Sequence, residues 1–128
     1  IRVLLTETGQ DITAKLDPEI IKPYIHHLDS NSCRQVVKAR REVIEERYEQ
    51  SLGVAKAALP QLIEQAKEIY GSKWQYEIDR LTYLKQFNPS IREDEITRLQ
   101  KFQKEGLGLL DGLSVTPEAI QVLVVVKP

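Results

Sequence analysis

Methionine is absent from this 128-residue sequence, and cysteine and tryptophan occur once each, as Cys33 and Trp74. A lone cysteine cannot close an internal disulfide, so the chain reads as intracellular and reduced. With no methionine to start it, and with Ile1 opening a strand-like run, the sequence reads as a piece of a longer protein. No apolar run approaches the ~18 residues that a membrane-spanning helix needs, and no charged-then-apolar leader opens the chain. Neither charge sign is in excess: 18 Lys and Arg against 19 Asp and Glu leave a net charge of −1. Nucleic acid binding by bulk charge is therefore expected to be weak or absent. No glycine-rich loop ends in Gly-Lys-Ser or Gly-Lys-Thr. Gly71-Ser72-Lys73 has the wrong order and lies within a helical period, so no nucleotide site is expected.

What is present is the makings of one soluble domain over 1–128. Hydrophobic residues supply 41% and charged residues 29% of the chain. A chain of this length buries about two thirds of its unfolded surface, enough for one core without metals or disulfides.

Hydrophobic spacing divides the chain into strand-like ends and a helical middle. Arg2-Val3-Leu4-Leu5-Thr6 is apolar on both faces, and Ile12, Ala14 and Leu16 alternate with polar neighbours. Thr8-Gly9 forms the bend between them, predicting a hairpin of 2–6 with 11–16, Gly9 taking positive φ. Asp17 precedes Pro18 as the N-cap of a short helix. Asp29, Ser30 or Ser32 caps a helix over about 32–58. Pro60 either kinks one very long helix or opens a second over 60–87, which Asn88-Pro89 ends with Asn88 as a left-handed C′ residue. Ser90 and Glu93 form a capping box for a helix over about 91–112, antiparallel to its predecessor. The β-branched run Val122–Val126 lacks charge and proline, and predicts a central strand over 121–127 paired with the hairpin. The fold class expected is α+β: three long helices on a small antiparallel sheet.

Candidate chemistry is sparse. His26 and His27 are adjacent, point about 100° apart on a helix, and with Cys33 fall short of a metal-ligand set. Nothing orients an imidazole toward Cys33 for nucleophilic work. No catalytic, cofactor-binding or metal-binding residue is therefore assigned. The remaining feature is a basic stripe: Arg34, Lys38 and Arg41 are spaced i, i+4, i+7, with Arg40 and Arg47 flanking. Four acids follow, Glu42, Glu45, Glu46 and Glu49, and partly neutralise it. The stripe is either a solvated helix face or a docking surface for an anionic partner.

Three strings point further. Leu81-Thr82-Tyr83-Leu84-Lys85-Gln86-Phe87 leads into Asn88-Pro89-Ser90-Ile91-Arg92-Glu93-Asp94-Glu95-Ile96, with Arg2-Val3-Leu4-Leu5 opening and Ile120–Val125 closing the chain. In these residues the sequence resembles the C-terminal region of the RapA (HepA) family, bacterial RNA polymerase-associated ATPases of the Swi/Snf helicase-like superfamily. The resemblance implies a non-catalytic scaffold or docking module of a protein that helps recycle polymerase during transcription. It implies RNA polymerase core and the ATPase lobes of the same chain as partners. ATP and magnesium belong to the parent protein, whose nucleotide motifs lie outside this stretch, and the location is the bacterial cytoplasm at the nucleoid. The competing reading is a free-standing helical adaptor or coiled-coil dimerisation domain unrelated to transcription.

Overall fold

In a computed structural model, which describes residues 1–126, the chain is 64% helix and 2% strand. The expected α+β fold is therefore overturned: no sheet forms among the described residues, and one isolated antiparallel bridge, Leu5 to Asp11, is all that remains of it. The order is α1 (Pro18–Ile21), a 3-10 turn (Lys22–Tyr24), α2 (Ser30–Ala39), α3 (Arg41–Lys85) and α4 (Glu93–Asp111). Two compact units form, one from Ile1–Ala57 with the C-terminal segment from Val115, the other from Ala58–Ser114.

In the first unit the hairpin turn forms and the ladder does not. Gly9 takes φ 84°, its N–H donates to the Thr6 carbonyl at 2.9 Å, and Thr6 and Gln10 bond across the turn at 2.9 Å. Beyond the bridge, Asp11 Oδ1 accepts from the Thr13 N–H at 2.9 Å and from the Thr13 hydroxyl. Lys15 and Leu16 then donate to the Ile12 carbonyl, closing a turn where strand 11–16 was expected. Short polar side chains bonding their own backbone offer an alternative to a sheet ladder, and here they win. The strand expected over 121–127 has lost its partner for the same reason. Residues 121–126 are irregular, with Val125 93% and Val126 82% exposed, and residue 127 lies outside the described residues.

Capping explains the short helices. Asp17 accepts from the Glu19 N–H at 2.9 Å and starts α1 ahead of Pro18. Asp29 starts α2 by accepting from the Asn31 and Ser32 N–H groups at 2.9 and 3.1 Å and from the Ser32 hydroxyl. These bonds, led by the Ser32 hydroxyl, hold the Asp29 carboxyl below its ordinary value. A depressed folded-state pKa stabilises the cap fully above the unfolded carboxylate range, near 4, and loses that stabilisation as pH falls through the lower folded value. Carbon chemical shifts of residues 30–33 are therefore expected to lose helical character in acid. In Asp29→Ala they should be already reduced at neutral pH and insensitive to acid.

The long helices are divided differently from the expectation. The expected 32–58 helix breaks at Arg40 (φ −119°, ψ 16°), and α3 then runs through Pro60 without interruption. Pro60 therefore lies inside one helix and separates nothing, although it withdraws an N–H from the ladder. The helix ends at Lys85, and among the described residues none other than glycine has positive φ, so Asn88 is not the left-handed cap. The capping box is also absent: Arg92 is the N-cap, its side chain donates to Asp94 and caps no backbone N–H, and Asn88 Oδ1 takes the Ser90 N–H at 3.0 Å. Glu93, Asp94 and Glu95 supply favourable charge at the N-terminus of α4 instead.

The second unit is the expected antiparallel helix pair. Lys85 pairs with Glu93 near the connection, and at the other end Lys67 reaches Asp111 at 2.6 Å. Between them Tyr70 donates to the Phe102 carbonyl at 3.2 Å, and Gln103 Nε2 donates to the Gly71 carbonyl at 3.0 Å. Trp74 lies between Tyr70 and Phe102, with ring centroids 6.0 and 6.3 Å away. Ile78 and Ile96 are buried in this unit; in the first unit Ala55 is.

Candidate partner-binding face

Arg34 and Lys38 sit one turn apart on α2, both exposed. Arg41 lies beyond the break at Arg40 and opens α3, so the i, i+7 register assumed for Arg34 and Arg41 is not that of one continuous helix. Its Nε donates to Glu45 Oε1 at 2.7 Å, and that hydrogen bond, with the carboxylate charge, raises the Arg41 pKa and holds the guanidinium charged. Arg34 and Lys38 make no ion pair among the described residues, which leaves them as the cations of the cluster open to an outside anion.

The two flanking arginines have a different use. Arg40 pairs with Glu7 at 2.6 Å, and Arg47 Nε donates to the Glu7 carbonyl at 3.0 Å. Gln50 Nε2 donates to the Gly9 carbonyl at 2.8 Å, and its Oε1 accepts from Arg47 at 2.7 Å. Together Arg40, Arg47 and Gln50 clip the Thr6–Gly9 turn onto the start of α3. Side chains crowd Gly9 so closely that a Cβ there would lie 2.7 Å from Arg47 Nη1, and the positive φ disfavours one independently. The pattern of residues gave no sign of this clip beyond Gly9 itself, because Glu7 and Arg40 are 33 positions apart.

The other candidates are not brought together. His26, His27 and Cys33 are exposed, the thiol lying 3.6 Å from the Leu28 carbonyl. Among the described residues no three His, Cys, Asp or Glu side chains gather to hold a metal ion. Two shallow, open grooves occur in the second unit. One, of about 600 Å³, runs along α4 past Glu93, Asp94, Thr97, Arg98 and Lys101. The other, of about 640 Å³, lies where Glu64 and Lys67 face Leu107 and Asp111. Lys67 is held in its charged form first by Asp111 and then by Glu64. Neither groove places a nucleophile beside a base, and Glu93, Asp94, Lys101, Glu64, Lys67 and Asp111 are taken up in ion pairs along the helices. No helix among the described residues is long and apolar enough to cross a membrane.

Comparison with known proteins is consistent along the whole chain. The model of the family described as "RNA polymerase recycling family C-terminal" matches residues 1–125. RNA polymerase-associated protein RapA of Pseudomonas aeruginosa (strain LESB58) is 31% identical over 124 residues, and its namesake in Pseudomonas putida (strain W619) 33% identical over 127. Each alignment covers 97% of this chain. The RapA of Pectobacterium carotovorum (strain PC1) is 27% identical over 125 residues, 98% of this chain. In all three the chain spans only 13% of the relative's length.

Proposed function

Because the chain belongs to the RNA polymerase recycling family, as its C-terminal region, we propose that it is a non-catalytic docking module of an RNA polymerase-associated, ATP-dependent helicase-like protein. The observation that carries this reading is the family match over residues 1–125, joined to relatives named for their association with RNA polymerase. Sequence identity of 26–33% over nearly the whole chain argues against the adaptor unrelated to transcription. The partners proposed are the polymerase core and the ATPase lobes of the parent. ATP and magnesium act in those lobes, and the setting is the bacterial cytoplasm at the nucleoid. Direct binding of nucleic acid by this module is weak, in keeping with the net charge of −1.

Arg34, Lys38 and Arg41 form the docking face of this reading. Exposed charges steer association and set its salt dependence more than they set fold stability. In the full-length protein, Arg34→Glu/Lys38→Glu/Arg41→Glu should weaken capture of core polymerase by about tenfold, or about 1.4 kcal/mol. The loss should be greatest at low salt and shrink as added salt screens the contact, whereas charge reversal of Asp94 and Glu95 on α4 should leave capture unchanged. Equal capture by the wild type and the basic-face variant would return the cluster to a solvated surface.

A further inference from the structure

Glu7 is bonded to both sides of the break between α2 and α3. Its carboxylate takes the Arg40 guanidinium at 2.6 Å, at the end of α2, and its carbonyl accepts from Arg47 Nε at 3.0 Å, near the start of α3. These contacts lie on the backs of the two helices. Along α2, Ser32, Val36 and Arg40 are spaced by four and share a face, and Ser32 and Val36 are half-buried there. At about 100° per residue, the exposed Arg34 and Lys38 lie roughly 120° and 160° around the helix from Arg40. On α3, Arg47 and Gln50 lie roughly 120° and 180° around from Arg41. The turn at Glu7 is thus held behind the break, with the docking cations in front of it.

Little else fixes the direction of α2. It is ten residues long and buries no side chain fully, and so short a helix is marginal without contacts to the rest of the fold. We propose that Glu7 is a positioning residue for the docking face, a role that rests on the docking reading of Arg34, Lys38 and Arg41. By tying Arg40 to Arg47 it sets the angle at which α2 meets α3. That angle sets the spacing of Arg34 and Lys38 from Arg41, which an anionic surface has to match. Cations ordered in advance bind at a smaller entropic cost than cations carried on a swinging helix. Charge alone predicts the opposite sign, because deleting a carboxylate beside a basic cluster strengthens its attraction for an anion.

Cys33, the single cysteine, is exposed on α2 and takes a nitroxide label, and Glu49→Cys on α3 supplies a second. Spin–spin distances between the two labels in the 128-residue chain report the angle between α2 and α3. Glu7→Gln should broaden the distance distribution while leaving the circular dichroism spectrum unchanged. In the full-length protein it should weaken capture of core polymerase about threefold at low salt, in keeping with the loss of one exposed ion pair. The difference should vanish at high salt. Glu7→Arg/Arg40→Glu, which rebuilds the pair with its charges exchanged, should restore both the narrow distribution and capture. An unchanged distribution in Glu7→Gln, capture that is equal or stronger, or failure of the exchanged pair to rescue it overturns the proposal. The docking reading survives each of those results if the basic-face variant still weakens capture. Equal capture by the basic-face variant removes the docking reading, and the positioning role falls with it.

Discussion

Replacement of Ile78 by aspartate should unfold the helix pair of residues 58–114. Ile78 is 4% exposed and, with Ile96 at 5%, is the buried apolar content of that unit. Truncation of such an isoleucine to alanine costs about 2–5 kcal/mol, since the transfer energy of the lost methyl groups adds to the cavity left behind. A unit of this length holds only about 3–9 kcal/mol at the usual stability per residue. Ile78→Ala should therefore leave a weakened helix pair, and a buried, unpaired carboxylate at the same place should leave none. Urea unfolding followed by circular dichroism reads the first as a lower midpoint and the second as loss of helix before urea is added. Ile69→Asp, on the exposed side of the same helix, should change the midpoint little. Equal effects at 69 and 78 would mean that the buried face of α3 has been misassigned.

The contrast between those two positions shows how far the sequence could be read. Apolar spacing of three and four located the helices, but Ile69 and Ile78 both belong to the pattern, and only the position of α4 decides which is core. Local chemistry was legible wherever one residue settles it, as with Asp17 as a cap and Gly9 in the turn; for α2 the sequence offered Asp29, Ser30 or Ser32, and the structure selects Asp29. It misled where a local signal met competition from elsewhere. Ser90 and Glu93 have capping-box spacing, yet Asn88 takes the Ser90 N–H and Lys85 takes the Glu93 carboxylate. The β-branched run at Val122–Val126 has strand composition, but a strand needs a partner. The N-terminal segment uses its hydrogen-bonding groups within its own turns.

The candidate basic face was legible in part for a related reason. Helical arithmetic placed Arg34 and Lys38 together and failed at Arg41, because the helix opens at Arg40. No glycine or proline marks that break. The Arg40–Glu7 ion pair sits there, and a bond between residues 33 positions apart leaves no trace in local spacing. The same holds for Arg47, read from spacing only as a flank of the basic stripe, which together with Gln50 fastens the turn at Gly9.

Gly106→Ala should destabilise the helix pair, against the usual preference of helices for alanine. Glycine inside a helix is worse than alanine by about 1 kcal/mol, so an unconstrained site would gain from the change. At Gly106, however, an added Cβ would overlap the Tyr70 hydroxyl and Cζ, and would sit 2.6 Å from Cε1. The tyrosine ring cannot fold out of the way as a lysine tip could, so it has to leave. Its departure forfeits the hydrogen bond to the Phe102 carbonyl, about 0.5–1.5 kcal/mol, and the contact with Trp74, about as much again. Added burial lost from the ring outweighs the gain in helix propensity, for a net cost of about 1–3 kcal/mol. Tyr70→Phe should not rescue the variant, since the ring carbons also overlap the new methyl group. Tyr70→Ala is itself destabilising but clears the space, and in that background Gly106→Ala should turn neutral or stabilising. Melting curves of the four proteins in this cycle give the coupling between the two positions. Additive effects, with Gly106→Ala equally harmful in both backgrounds, would show that something other than Tyr70 requires the glycine.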